Sequence, residues 1–303
     1  MIVPAASLSL DPALLAQIAD LELAARLVVE GARLGSHRSP FTGAGAEFQQ
    51  MRPYLPGDDL KHLDWKHYAR TDRLFTRVYR EATEWPVMLA LDTSRSMAFA
   101  DARGVTKLEV ARLLAAALAY LLIQQGEAVG AVMQRDTADT SLPARGGRAH
   151  LVRLLGTLSR LDADGATDIA SGLRRAVARL ARRGCIVIIS DLYGGEDWHA
   201  VLREVRRAGH EAVIFHVFTP GERRLPPGED TEFEDLETGE RLVTHTARIR
   251  ERYAERFAAF LAEQRAAAQA EGVAYVEAET RRGVDALVRE FAAQRASREG
   301  APR

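Results

Sequence analysis

From Trp85 onward, two hydrophobic patterns alternate along the chain. Short, continuous apolar runs are typical of strands that are buried on both faces, and between them lie longer segments with apolar positions at helical spacing. The predicted strands are residues 87–91, 128–134, 185–189, 212–218 and 273–277. The predicted helices are residues 107–124, 150–161, 169–182, 199–208, 245–270 and 283–298. This alternation predicts an α/β fold with a doubly wound, mostly parallel sheet flanked by helices.

The residues before Trp85 follow a different pattern. Apolar positions between residues 11 and 32 recur at helical spacing, and Asp11-Pro12 offers a cap and a first-turn proline. Short strands are predicted at residues 48–54 and 74–80. We therefore predict an N-terminal extension at residues 1–84 and an α/β domain at residues 85–303. A β-hairpin is expected to be inserted around residues 223–244, because turn residues separate two short strand-like segments there.

Composition narrows the possible functions. The 303 residues are 47% hydrophobic and 27% charged, as in soluble globular proteins, and the net charge of -1 gives no general attraction for nucleic acid. No apolar run approaches the ~20 residues of a membrane span, and no secretory signal begins the chain. The single cysteine, Cys185, lies in an apolar strand and forms no disulfide within the chain. We expect a cytoplasmic protein with no membrane span and no nucleic-acid partner.

Oxygen-bearing side chains follow two of the predicted strands. Asp92, Ser94 and Ser96 come directly after the first strand of the α/β region, and Asp191 follows the strand at residues 185–189. Thr167 precedes a helix in a loop that is expected at the same edge, because ligands gather at the carboxyl ends of parallel strands. Carboxylate and hydroxyl oxygens are ligands that Mg²⁺ prefers. These five residues predict a metal site, with Mg²⁺ expected and Mn²⁺ or Ca²⁺ as alternatives; whether the carboxylates bind directly or through water stays open.

The five residues resemble the metal-ion-dependent adhesion site of von Willebrand factor A domains. The Asp-x-Ser-x-Ser motif, a later Gly-x-Thr before a helix and a later Asp after an apolar strand are all present between residues 92 and 191. The resemblance covers roughly residues 85–298. It implies a binding device in which an acidic side chain of a partner protein completes the shell of the metal ion.

A second resemblance covers the segment before the α/β region. Residues 35–39, 43–48, 52–59 and 63–70, together with residues 235–240, are similar to the signature of the family catalogued as domain of unknown function 58. In that family the signature directly precedes an A-type domain. The resemblance implies a chaperone-like role beside MoxR-type AAA+ ATPases in the maturation of other proteins.

Two other functions stand as alternatives to this one. Asp92 could be the nucleophile of a metal-dependent phosphoryl-transfer enzyme that resembles haloacid-dehalogenase phosphatases. Such enzymes expect a second carboxylate two residues later, where this chain has Ser94, and a later lysine, whereas no lysine follows Lys107. A purely structural scaffold is the other alternative. No Gly-x-x-x-x-Gly-Lys-Ser/Thr phosphate loop occurs, so the chain is not itself a P-loop ATPase.

The region from Arg52 to Arg70 mixes aromatic and charged residues. We interpret it as a packing surface pinned by Asp64, Trp65 and Arg70, with a catalytic cluster or a docking surface as alternatives. The sequence as a whole predicts a non-enzymatic, Mg²⁺-dependent protein-interaction module. Its expected role is that of an adaptor or co-chaperone of a MoxR-type AAA+ ATPase.

Overall fold

The computed structural model describes residues 12, 15, 19–34, 47–54, 63–80, 85–134, 141–165, 169–193, 198–225, 228, 230–236 and 239–299. The chain forms two compact units. One unit comprises Met1–Phe41 together with Trp85–Arg303, and the other comprises Thr42–Glu84.

The described helices and strands alternate along most of the chain. In chain order they are α1 (Leu21–Leu34), β1 (Glu47–Pro53), α2 (Trp65–Thr71), β2 (Phe75–Arg80), β3 (Val87–Asp92), α3 (Lys107–Gln124), β4 (Val129–Gln134), β5 (Ser141–Arg145), α4 (Arg148–Leu158), α5 (Ile169–Arg179), β6 (Cys185–Ser190), α6 (Trp198–Arg207), β7 (Glu211–Phe218), α7 (Pro220–Arg223), β8 (Asp230–Glu234), β9 (Arg241–His245), α8 (Thr246–Ala270), β10 (Ala274–Glu279) and α9 (Val284–Glu299). A 3₁₀ turn at Arg95–Ala98 follows β3.

The larger unit is built on a six-stranded sheet with the order β10-β7-β6-β3-β4-β5. All neighbouring strands are parallel except β5, which runs antiparallel to β4 at one edge. From β3 the chain proceeds first to β4 on one side and later to β6 on the other. The topological switch point therefore lies between β3 and β6, and ligands of open α/β sheets bind in the crevice at the carboxyl end of such a point.

Both faces of the sheet are covered, which explains the continuous apolar runs. The strand β3 is buried along its whole length. Leu89 and Leu91 point into a core shared with α1, α3, α4 and α9, whereas Met88 and Ala90 point into a core shared with α5 and α6. The predicted α/β fold with a mostly parallel sheet is confirmed.

The helix α3 begins at a capping box. The Thr106 hydroxyl accepts a hydrogen bond from the Glu109 N–H, and the Glu109 carboxylate accepts one from the Thr106 N–H. Lys107 is the first helical residue, at the end of the helix where the macrodipole disfavours a cation. We therefore expect residues outside α3 to stabilise the positive charge of Lys107 at this position.

The smaller unit contains the antiparallel pair β1 and β2 and the short helix α2. Asp64 is buried and caps α2, since its carboxylate accepts a hydrogen bond from the His67 N–H at 3.0 Å. Trp65, by contrast, is 61% exposed and meets the Tyr68 ring edge-on. Asp64 thus has a local structural role, and the role of Trp65 as a pin of a packing surface stays a prediction.

Three details of the fold differ from the sequence expectations. The predicted helix at residues 11–32 is interrupted at Asp20, whose carboxylate accepts the Glu22 N–H at 2.9 Å and caps α1; Asp11 lies outside the described residues. By its contacts, α1 belongs to the unit that contains the residues after Trp85, and not to the unit that contains β1 and β2. The antiparallel edge strand β5 and the short helices α2 and α7 were not predicted, because segments this short carry little periodic signal.

Gly184 precedes β6 at a point where the chain passes so close to Pro86, before β3, that a side chain has no space. A Cβ atom at this position would lie 2.3 Å from the Pro86 carbonyl oxygen. We expect Gly184→Ala to lower the free energy of unfolding by at least about 2 kcal/mol through overpacking. Gly156, inside α4, is the matched control because a Cβ atom added there would meet no atom within 4 Å; Gly156→Ala is expected to stabilise by about 0.5–1 kcal/mol. Urea unfolding of both variants measures the contrast, and equal effects would contradict it.

Candidate metal centre

The switch point brings two of the predicted carboxylates to one crevice. Asp92 is the last residue of β3, and Asp191 follows β6, the neighbouring parallel strand. Both side chains are fully buried. Asp92 and Asp191 therefore lie at the carboxyl ends of two adjacent strands, at the same edge of the sheet.

Asp92 is held by neutral hydrogen-bond donors. Its Oδ1 accepts a hydrogen bond from the Ser94 N–H at 2.9 Å, and its Oδ2 accepts one from the Ser190 hydroxyl at 2.6 Å. Burial and the negative charge of Asp191 raise the pKa of Asp92 to about 6, although these hydrogen bonds oppose the shift. A cation placed beside Asp92 would relieve the cost of burying this charge.

Ser94 and Ser96 converge on the same loop. Their hydroxyl oxygens are 2.9 Å apart, and Ser94 is buried while Ser96 is partly exposed. Thr167 lies outside the described residues. The loop that leads to Thr167 is nevertheless attached to the Asp92 loop, because the Asp164 N–H donates to the Thr93 carbonyl at 2.8 Å and the Arg95 N–H donates to the Gly165 carbonyl at 3.1 Å.

Asp191 differs from Asp92 in its partners. Its Oδ1 accepts a hydrogen bond from the Tyr193 N–H at 3.2 Å, and its Oδ2 accepts one from the Lys107 ammonium at 2.7 Å. The intervening Leu192 has a φ of 58°, in the left-handed region that leucine seldom adopts. Strain of this kind is concentrated at functional sites, where the surrounding contacts hold it in place.

Lys107 is the centre of a buried ionic cluster that the sequence did not predict. Its side chain is 1% exposed, and its ammonium also donates to Glu222 Oε1 at 2.6 Å. The Tyr193 ring lies 4.9 Å from the same nitrogen. Burial disfavours the charge, but the carboxylates of Asp191 and Glu222 outweigh it and raise the pKa of Lys107 above its ordinary value. The ammonium is therefore a fixed positive charge at this edge of the sheet.

Two local signals could have indicated this cluster. A lysine in the first turn opposes the helix dipole, and it is one of only three lysines, with Lys61 and Lys66, in an arginine-rich chain. Thr219 and Glu222 form a capping box with Pro220 between them in the first turn, so α7 places Glu222 just after the end of β7. Neither signal shows that Lys107 and Glu222 meet, because 115 residues separate them.

A cavity of about 300 Å³ opens beside this cluster. Ser96 and Lys107 line one part of it, and the hairpin residues from Glu234 to Leu236 line another. The inserted hairpin was predicted, and the structure shows it as the antiparallel pair β8 and β9. The cavity thus reaches Ser96 and Lys107 at the edge of the candidate site, whereas the Asp92 and Asp191 side chains are fully buried.

His216 lies on β7 beside Ser190 of β6 and supplies a pH-dependent prediction. Burial lowers the pKa of His216 to about 4, and its Nδ1 is 2.5 Å from the Tyr275 hydroxyl oxygen. The unfolded chain binds a proton near pH 6.5 and the folded chain only near pH 4, so stability falls as pH decreases across that window.

The loss attributable to His216 is on the order of 3 kcal/mol between pH 6.5 and 4. The variant His216→Gln is expected to lack this part of the pH dependence. Urea unfolding of both proteins at several pH values measures it, and parallel stability profiles would contradict the assignment.

The donor set at the crevice fits a hard divalent cation. Asp92, Ser94 and Ser96 offer only oxygen atoms, and the raised pKa of Asp92 reflects a buried carboxylate whose charge the neutral donors around it do not balance. Among the residues that the structure describes, no group of three or more His, Cys, Asp and Glu side chains is arranged to hold a metal. Any ion here would therefore depend on hydroxyl ligands in addition to carboxylates.

The fold and the crevice define an α/β domain with a candidate ion site at its switch point. Residues 50–265 match the family described as protein of unknown function DUF58, and the chain belongs to this family. An uncharacterized protein of Mycobacterium tuberculosis is 33% identical over 232 residues, which is 76% of this chain and 73% of that protein.

Two solved structures align with most of this chain at low sequence identity. An aerotolerance-related membrane protein of Bacteroides fragilis aligns with a TM-score of 0.49 and 20% identity over 71% of this chain and 99% of that chain. The hypothetical protein BatB of Bacteroides thetaiotaomicron aligns with the same TM-score and coverage at 18% identity. Within the described part of the present chain, no helix has the length and apolar character needed to cross a membrane.

Proposed function

We propose that this protein is a non-enzymatic, Mg²⁺-dependent protein-interaction module. The observation that carries the proposal is the crevice at the switch point, where Asp92 and the converging hydroxyls of Ser94 and Ser96 present oxygen atoms beside a second buried carboxylate, Asp191. The all-oxygen chemistry of these side chains supports Mg²⁺, with Mn²⁺ and Ca²⁺ as alternatives.

In this proposal Asp92, Ser94, Ser96, Thr167 and Asp191 together form the site that holds the ion. Ser190 orients the Asp92 carboxylate through its 2.6 Å hydrogen bond. When bound, the ion supplies an open coordination position for a carboxylate of a partner protein. The partial exposure of Ser96 and the adjoining cavity support access of such a side chain to this edge.

The partner that we propose is a MoxR-type AAA+ ATPase, for which this protein acts as an adaptor or co-chaperone. The proposal rests on the family resemblance of the segment before the α/β region and on a binding site suited to an acidic side chain. Cytoplasmic location stays a prediction from the sequence.

Capture experiments test the partnership. Immobilised wild-type protein is expected to retain a purified MoxR-type ATPase from the same organism in Mg²⁺ and to lose it in EDTA. Asp92→Asn is expected to behave in Mg²⁺ as the wild type does in EDTA. Glu271→Gln, which neutralises a carboxylate at the opposite edge of the sheet, is the control and is expected to bind normally. Retention that is identical with and without chelator would remove the ion from the mechanism.

The proposal assigns no covalent step to Asp92. Phosphoryl transfer of the haloacid-dehalogenase type would need a second carboxylate two residues after Asp92, and this chain has Ser94 there. The lack of a lysine after Lys107 does not weigh against this chemistry, since Lys107 itself reaches this edge and contacts Asp191 and Glu222. Phosphatase turnover that disappears in Asp92→Asn would overturn the non-enzymatic assignment.

A further inference from the structure

Because of Lys107, the two carboxylates of the crevice differ in the charge of their hydrogen-bond donors. The donors to Asp92 are a backbone N–H and a serine hydroxyl, and both are neutral. Asp191 instead bonds a full positive charge at 2.7 Å, and its other oxygen accepts a hydrogen bond from the Tyr193 N–H. The charge of Asp191 is therefore already compensated by Lys107, whereas the charge of Asp92 is not.

The ammonium is fixed in this position by its surroundings. Glu222 also bonds it, at 2.6 Å, and α7 holds Glu222 because its second carboxylate oxygen accepts a hydrogen bond from the Thr219 N–H at 2.6 Å. The Tyr193 ring is close enough for a cation–π contact. With the side chain 1% exposed, release of the ammonium to water would require this cluster to open.

The charge of Lys107 also acts on any ion held by Asp92. Two like charges in a buried crevice repel each other, because the low effective dielectric leaves them poorly screened. A fixed ammonium therefore weakens the binding of a divalent cation. It also leaves more of the positive charge of the bound ion available to an incoming carboxylate.

We propose that Lys107 is a positioning residue that holds Asp191 out of direct contact with the ion and lowers the affinity of the site for divalent cations. This inference rests on the proposed Mg²⁺ site. It explains why a cation stands in the first turn of α3 despite the helix dipole. It assigns Asp92 the role of direct carboxylate ligand and Asp191 the role of a partner that acts through water.

The double variant Lys107→Gln/Glu222→Gln tests the inference without changing the net charge of the protein. It removes one positive and one negative charge, and the glutamine at position 107 retains a hydrogen-bond donor for Asp191. Isothermal titration with Mg²⁺ alone is expected to show about tenfold tighter binding than in the wild type. This gain is expected to vanish when Asp191→Asn is added, because Asp191 is then no longer an anion that the ion can recruit.

The matched control removes another ion pair that is largely buried. Arg295→Gln/Glu127→Gln breaks a contact at the amino edge of the sheet and is expected to leave the Mg²⁺ affinity unchanged. Far-UV circular dichroism shows whether each variant is folded.

The outcomes separate this inference from the proposed function. Tighter binding by the Lys107 variant supports the inference even if the wild type binds no Mg²⁺, a result that would itself refute the proposed function. Affinity that is unchanged or weaker in the folded variant overturns the inference.

A second measurement serves if the Lys107 variant does not fold. In the wild-type background, Asp191→Asn is expected to weaken Mg²⁺ binding only about tenfold, as for a partner that acts through water. Loss of binding as complete as that in Asp92→Asn would overturn the inference.

Discussion

Asp92→Asn is expected to weaken Mg²⁺ binding by at least about 100-fold, since it removes the carboxylate that we assign as the direct ligand. Titration calorimetry at pH 7.5 measures the loss against the wild type. Glu271→Gln, at the amino edge of the sheet, is the control for removal of a carboxylate and is expected to bind as the wild type does. Equal affinity of Asp92→Asn and the wild type would exclude Asp92 as a ligand.

The same site gives the pH dependence of Mg²⁺ binding. Burial and Asp191 raise the pKa of Asp92 to about 6, and the ion requires the ionised form. Affinity is therefore expected to fall as pH decreases through about 6, rather than through the ordinary range near 4. The same pKa determines how the free energy of unfolding depends on pH in the absence of Mg²⁺. The folded state holds the Asp92 proton more tightly than the unfolded chain, so this group reduces stability as pH rises from about 4 to 6.

The effect of Asp92→Asn on the free energy of unfolding distinguishes a binding role of Asp92 from a structural one. If Asp92 serves the ion, Asp92→Asn without Mg²⁺ at pH 7.5 is expected to be at least as stable as the wild type, with a gain of up to about 3 kcal/mol. Asparagine can still accept a hydrogen bond from the Ser94 N–H, and its amide can donate to Ser190. Marked unfolding of the variant would instead favour the purely structural scaffold.

Lys107→Met is expected to lower the free energy of unfolding by about 3–5 kcal/mol, because it leaves two buried carboxylates without their cation. Asp191 is fully buried and Glu222 is 12% exposed, so water cannot solvate either charge well. Chemical denaturation at pH 7.5 without added metal measures the loss. A change below about 1 kcal/mol would show that the cluster is not a structural support of the crevice.

Two further variants test whether the loss of stability in Lys107→Met comes from the unpaired buried charges. Lys107→Met combined with Asp191→Asn and Glu222→Gln is expected to recover much of the stability, since replacing a whole buried ionic cluster by neutral groups of similar volume costs little. Arg26→Met removes a cation from the solvent-exposed Arg26–Glu30 pair on α1 and is expected to leave the midpoint of unfolding unchanged. Failure of the triple variant to recover would place the loss in packing rather than in charge.

The strands and helices that carry the site could be predicted because their signals are local. The run from Val87 to Leu91 is apolar at every position, and a strand covered on both faces needs that composition. The capping box at Thr106 and Glu109 marks the start of α3 at Lys107, where it was predicted. Since the carboxyl ends of parallel strands lie at one edge of the sheet, the strand assignments were enough to predict that Asp92 and Asp191 lie at the same edge.

The short elements could not be predicted, and one of them matters for the site. The helix α7 is a single turn, too short for a periodic pattern, yet it aims Glu222 at Lys107. The interruption at Asp20 was also not predictable, because an aspartate within an apolar stripe has the same spacing whether it caps a helix or lies on its exposed face.

The sequence by itself determined the α/β alternation, the position of the crevice loops and the presence of oxygen-bearing side chains at Asp92, Ser94 and Ser96. These features follow from hydrophobic period and from residue types that lie within a few positions of one another. Only the tertiary structure decided that Asp191 is bonded to Lys107, because that contact joins residues 84 positions apart through the packing of α3 against the sheet. Distant partners leave no periodic trace in a sequence, so the balance of charge at the crevice depends on how the strands and helices are arranged in space.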